Sequence, residues 1–186
     1  MRSSDELEVR RIAILPFAYR GVDDAVPCSV CPDQLDPLPT SREDALLVTA
    51  FFHEALTTYP RLSILPFEAV DRLLVDDMVA TMDRLYAAEE VDAVLVGMLM
   101  ALRPREGDPR EPDAPAGASI YAALVEPLTE RVFWVGTREG VQQPPPITLR
   151  RLSEIISGEP IRWHSDLGQA QLYANELVKE MVKQIH

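Results

Sequence analysis

Val-Asp-Ala-Val-Leu-Val-Gly-Met-Leu-Met-Ala-Leu, residues 91–102, is the longest nearly uncharged apolar run in the 186-residue chain, and the rest of the sequence is placed around it. Residues 93–100 are apolar at both parities. A strand carries such a run only when both of its faces are covered, so the run predicts a strand in the middle of a sheet. A buried helix is the competing reading of so short a run, and the strand signals around it favour the sheet. Gly97 leaves a gap in the run, which predicts that another part of the molecule packs close to the backbone there.

Upstream, Arg-Ile-Ala-Ile-Leu-Pro-Phe at 11–17 is a short β-rich run stopped by proline. Its Arg-x-x-Ile-Leu-Pro-Phe pattern returns at 61–67, which predicts two equivalent strands, each leading into a helical segment. Between them, residues 41–59 open with a Ser-x-x-Asp cap, Ser41 with Asp44, and continue with helical periodicity. Ala45, Val48, Phe51, Phe52, Ala55, Leu56 and Tyr59 form the expected core stripe, with Glu43, His53, Glu54 and Thr57 toward water. Further helical stretches are expected at 67–75 and at 79–90, the latter with Met82, Leu85 and Tyr86 at helical spacing.

Downstream, residues 103–117 hold four prolines, two glycines and seven charged residues, a composition that predicts an exposed hairpin loop. Residues 119–126 and 131–137 flank Pro-Leu-Thr-Glu and read as an antiparallel pair. A short helix at 148–157 and a longer one at 166–185 follow, the second capped by Ser165 or Asp166 and packing Leu167, Ala170, Ala174, Leu177, Val178, Met181 and Ile185. This order predicts an α/β domain with a mixed five-stranded sheet covered by helices. Three parallel strands joined by helical crossovers are extended by two antiparallel hairpin strands. The whole of 1–186 reads as one domain, with a tail at 1–10, the hairpin loop at 103–117 and a connecting segment at 141–164 before the last helix.

With 18 Lys and Arg against 30 Asp and Glu, the net charge of −12 opposes binding to nucleic acid. No run reaches the roughly 18 apolar residues of a membrane span. The start, Met1-Arg2-Ser3-Ser4-Asp5-Glu6, offers no secretory segment, so the expectation is a cytosolic protein or one whose signal lies outside this sequence. The position after the first strand, where a doubly wound nucleotide-binding fold needs a glycine-rich phosphate loop, holds Pro16-Phe17-Ala18-Tyr19-Arg20-Gly21.

Cys28-Ser29-Val30-Cys31 is the sharpest local motif, and its spacing fits a disulfide, half a zinc site or a redox pair. His53, His164 and His186 are not paired at ligand spacing, so no metal is expected. Pro27 and Pro32 make an extended loop where a redox pair needs a helix start. The favoured reading is a structural disulfide, Cys28 to Cys31, tightening the loop before the first helix; two unpaired thiols are the alternative. His164 reads as part of an aromatic cap with Trp163 before the last helix. Asp76-Asp77 and Glu89-Glu90 diverge by 100° along their helices and read as solvated surface. No nucleophile, base and orienting partner come together, so neither an enzyme nor a cofactor is expected.

Arg-x-x-Ile-Leu-Pro-Phe, the segment Val-Asp-Ala-Val-Leu-Val-Gly, and Ala-Leu-Val-Glu through Val-Phe-Trp together resemble a bacterial envelope lipoprotein domain. The family includes the curli-export lipoprotein (CsgG-like), the TolB amino-terminal domain and penicillin-binding-protein activator lipoproteins. The resemblance covers roughly 11–137 and the last helix. It implies a non-enzymatic adaptor or assembly factor in the periplasm, associated with the outer membrane through a lipid anchor upstream of residue 1; a cytoplasmic setting is the lesser reading. The expected partner is an envelope protein or a second copy, met through the loop at 103–117, with Arg103 and Arg105, and through the segment at 142–164, with Trp163 as anchor. The chain departs from the family in lacking the amphipathic hairpins of its pore-forming member. The Cys28 and Cys31 loop and the 142–164 segment also fall outside the shared pattern. The second hypothesis is a ligand-binding or enzymatic domain with its site at the carboxyl ends of the parallel strands, near Phe17, Phe67 and Arg103.

Overall fold

The computed structural model describes residues 9–19, 40–107, 112–141 and 165–185. In chain order the elements are β1 (Arg11–Ile14), β2 (Ala18–Tyr19), α1 (Arg42–Thr57), β3 (Ser63–Ile64), α2 (Phe67–Asp71), α3 (Met78–Glu89), β4 (Ala93–Arg103), β5 (Glu106–Gly107), β6 (Pro112–Ala114), β7 (Gly117–Val125), β8 (Val132–Val141) and α4 (Asp166–Gln184). The apolar run at 91–102 becomes β4, and it lies in the middle of a sheet of order β3-β1-β4-β7-β8.

β1 runs parallel to β3, with Ile12 beside Ile64, and parallel to β4, with Ala13 beside Val94. β4 is antiparallel to β7, and β7 to β8, so the expected three-plus-two mixed sheet is what forms. β2 continues alongside β4 past the end of β1, Ala18 opposite Met98, and adds a sixth short strand that the proline at position 16 hides in the sequence.

The alternation of β4 divides its side chains between two cores. Ala93, Leu95 and Leu99 face α1 and α4, whereas Val94, Val96 and Met100 face the layer holding α2 and α3. Both faces are therefore covered, which is why neither parity carries a polar residue. The first core is built on Phe52 and Leu56 of α1 and on Leu177 and Met181 of α4, all fully buried. Ser41 and Asp44 form the expected capping box on α1: the Ser41 hydroxyl accepts from the Asp44 amide at 3.0 Å, and the Asp44 carboxylate accepts from the Ser41 amide at 3.2 Å. Ser165 caps α4 by accepting from the Gly168 amide.

Gly97, Ala122 and Gly136 line up across β4, β7 and β8. A Cβ at Gly97 would overlap the ring of Phe17, and one at Gly136 would overlap Trp134 and crowd Leu177. This row of minimal side chains leaves room for three large ones in the first core.

Several expectations change. The second Arg-x-x-Ile-Leu-Pro-Phe run gives only a two-residue strand, and its sequel differs from the first: Phe67 begins α2, whereas Phe17 turns into the core ahead of β2. α2 closes after five residues instead of extending to 75, because the amides of Leu73 and Leu74 both turn back on Val70. His53 is only partly exposed: its ring packs on Phe67 with centroids 4.5 Å apart, and its Nε2 is buried. Tyr86 stays 43% exposed. Of the paired carboxylates, Asp77 caps α3 by accepting from the Ala80 amide at 2.7 Å, and Glu89 pairs with Arg11 at 2.8 Å. Glu90 ends α3 in the left-handed region at φ 51°. The composition-based loop at 103–117 is partly built: β4 and β7 take its ends, and β5 pairs with β6 between them. Val9 is buried in the first core and Arg10 donates its amide to Asp92, so the expected tail at 1–10 joins the fold at its last two residues.

Candidate functional site

Two places qualify for a site, and each begins with a strand end or edge. The first is a cleft of about 410 Å³ where β1 runs out, between the start of α1 and the connection from α2 to α3. β1 leads toward α1 on one face of the sheet while β3 leads into α2 on the other, and such a divergence opens a crevice beyond the carboxyl ends of the strands. Leu15, Phe17, Leu74, Val75 and Met78 make most of its wall, with Arg42, Asp71 and Asp76 among its polar groups.

Its chemistry is apolar accommodation. The Thr81 hydroxyl in the wall is already engaged with the backbone of Val75 and Asp77. The amide of Phe17, which a phosphate-binding turn would aim at a ligand, donates instead to Thr49 Oγ1 at 2.9 Å, and that hydroxyl donates to the Ala45 carbonyl at 2.7 Å. Among the described residues, no serine, cysteine or histidine lines the cleft. Among the described residues, no group of three or more His, Cys, Asp or Glu could hold a metal ion.

The structure separates the residues expected to act together. Phe17 lines the cleft, but Phe67 stacks on His53 instead. Arg103 lies six residues past Gly97 at the far end of β4, roughly 20 Å on at about 3.3 Å per residue. Arg103 is exposed and Arg105 is half-buried. Cys28, Cys31, His164, Trp163 and the helix at 148–157 lie outside the described residues.

The second place is the outer edge of β8, which ends the sheet and has no strand partner there among the described residues. The register with β7 slips at its start, Leu124 facing Trp134 but Val125 facing Val132, so Phe133 is an extra residue in the strand. That bulge puts Phe133 and Trp134 toward the first core and leaves Val132, Val135, Thr137, Glu139 and Val141 as an exposed row on the other face. Val132, Val135 and Val141 are 43%, 49% and 43% exposed, and Leu128 at the adjoining turn is 57% exposed. On the core side, Arg138 reaches α4 and pairs with Glu176 at 3.2 Å and Glu180 at 2.5 Å. The two carboxylates raise the pKa of its guanidinium, Glu180 through the leading hydrogen bond. The expected strand, ending at 137, holds Val132, Val135 and Thr137 but stops short of Glu139 and Val141; the alternation Trp134, Gly136, Arg138, Gly140 against Val135, Thr137, Glu139, Val141 is the signal that extends it.

No protein-family model matches the chain, and no curated protein matches it. Among solved structures, 36 chains match it. The hypothetical protein CT253 from Chlamydia trachomatis is 11% identical, with 95% of each chain covered and a TM-score of 0.46. Lipoprotein GNA1162 from Neisseria meningitidis is 14% identical, covering 80% of this chain and 91% of its own, with a TM-score of 0.45. A PelC dodecamer from Paraburkholderia phytofirmans is 14% identical, covering 96% of this chain and 90% of its own, with a TM-score of 0.45. Among the described residues, no helix is long and apolar enough to cross a membrane.

Proposed function

We propose that this chain is a non-enzymatic adaptor or assembly factor of the bacterial envelope that works by protein–protein contact through the outer edge of β8. The observation that carries the reading is the exposed row Val132, Val135 and Val141 along a ten-residue terminal strand. An open edge of that length offers backbone hydrogen bonds to an added strand, and alternate side chains supply selectivity. The envelope setting, with a periplasmic location, a lipid anchor and outer-membrane association, rests on the resemblance of the strand motifs to envelope lipoprotein domains. Arg103, Arg105 and Trp163 are secondary contacts in this proposal.

The test is capture from envelope extract by immobilised wild type, Val135→Lys, and an Arg103→Ala/Arg105→Ala double variant, with circular dichroism confirming that each is folded. Loss of a specific partner with Val135→Lys is the expected result. Equal capture by all three would clear these surfaces, and turnover abolished by one substitution in the cleft would overturn the non-enzymatic reading. The cleft beyond β1 supports a second reading, a carrier of a small apolar ligand, which requires a saturable rise in Tm with added ligand.

A further inference from the structure

We propose that the partner of β8 is β8 of a second copy of this chain, paired antiparallel about a two-fold axis at Thr137, an inference that rests on the reading of β8 as the contact surface. The two edges of the sheet are unlike. β3 is two residues long and stands between Pro60 and Pro66, which blunts that edge. Val132–Val141 contains neither proline nor lysine, and its one bulge, at Phe133, lies at its start and leaves 134–141 regular.

Pairing geometry then selects the occupant and the register. A two-fold axis perpendicular to the sheet keeps the α1 and α4 layer of both copies on one side and pairs residues of like face. With the axis at Thr137, the exposed row meets itself as Thr137 with Thr137, Val135 with Glu139, and, counting Phe133 as the bulge, Val132 with Val141 of the second copy. On the core side, Gly136 faces Arg138 and Gly140 faces Trp134 of the second copy, so each glycine stands opposite a bulky residue. No like charges are opposed. Moving the axis to Arg138 sets two arginines against each other, moving it to Glu139 sets two glutamates, and a parallel in-register pairing does both; opposed like charges destabilise strand pairs. The Thr137 axis also uses the whole strand. Charge does not oppose a second copy along the strand itself: the chain carries −12 overall, but residues 131–141 hold Arg131 and Arg138 against Glu139, and Arg138 also offsets part of the charge of Glu176 and Glu180. A copy of so acidic a protein meets less repulsion along this strand than its overall charge implies.

Sedimentation equilibrium of the wild type and of Thr137→Lys tests the association, and cysteine cross-linking in a Cys28→Ser/Cys31→Ser background tests the register. The wild type is expected to dimerise, and Thr137→Lys, which opposes two ammonium groups, to weaken dimerisation about tenfold or more with its circular dichroism unchanged. Thr137→Cys is expected to form a disulfide dimer under mild oxidation, and Val135→Cys or Glu139→Cys alone not to; the two together restore it. A monomeric wild type, or equal cross-linking at all three single positions, overturns the proposal. If the wild type is monomeric and Thr137→Lys still loses an envelope partner, the edge is a contact surface for another protein and only the self-pairing falls. If Thr137→Lys changes neither association nor capture, both readings fall.

Discussion

Phe17 sits where the side chain missing from Gly97 would be, and its position is fixed from two directions. The Gly97 backbone accommodates its ring, and Thr49 on α1 accepts a hydrogen bond from its amide, so β1, α1 and β4 meet at one aromatic residue. Its ring also lies 4.8 Å from that of Phe52. Gly97→Val is therefore expected to displace the Phe17 ring and cost about 1 to 3 kcal/mol by overpacking. In a chain of this size that lowers Tm by roughly 2 to 4 °C per kcal/mol. Thermal unfolding measures it, and Phe17→Leu in the same chain should return part of the loss, because the displaced ring is then gone. A Gly97→Val variant as stable as the wild type would mean that Phe17 does not occupy this position. Gly97 is legible as a close approach from its place in an apolar run, whereas its partner is not: nothing local in Pro16-Phe17-Ala18 says that the phenylalanine turns back across the neighbouring strand.

The helices whose ends are marked by side-chain caps are those whose limits can be read from the residues. α1 begins one residue after Ser41 and α4 one residue after Ser165, since each serine satisfies an amide that the first turn leaves open. Ser41→Ala removes the centre of a reciprocal pair and should cost about 1 kcal/mol, read as a lower urea midpoint with an unchanged m-value. α2 is shorter than its sequence pattern because the amides of Leu73 and Leu74 turn back on Val70, and β3 because tertiary hydrogen bonds set its ends. The Ser63 amide goes to Arg10 and the Leu65 amide to Ile12, which ties this segment to β1 for as long as β1 lasts and no longer. The cleft stands where the strand order puts it, at the carboxyl ends of the parallel strands, but its lining is not legible, because the residues from 71 to 81 come from a helix connection rather than from a strand. The β8 row is hidden by its bulge, which breaks simple alternation at Phe133.

At the scale of the molecule, the two cores give the protein a definite response to alkali and a definite order of assembly. Tyr121 lies in the second core, and burial raises its phenol above the ordinary value of 10.0 by disfavouring the phenolate. The unfolded chain therefore loses this proton first, so stability is retained below about pH 10 and declines as pH rises through the raised folded value. Urea midpoints across that range should fall more steeply for the wild type than for Tyr121→Phe; parallel slopes would show that Tyr121 is not the group responsible. The position of β4 between a parallel and an antiparallel neighbour also has a kinetic meaning. Val94 meets Val125 across a short stretch of chain, while Ile12 meets Ala93 only after most of the first half of the protein has been enclosed. Closing the longer loop costs more entropy, so the β4-β7-β8 meander gathers first and β1 docks late. β1 thus joins the sheet after the strands that follow it in the meander, and β3, which pairs only with β1, cannot join before it. Until β1 arrives, the most apolar strand of the molecule presents a bare edge, and any truncation that removes β1 turns the centre of the sheet into a nucleus for aggregation.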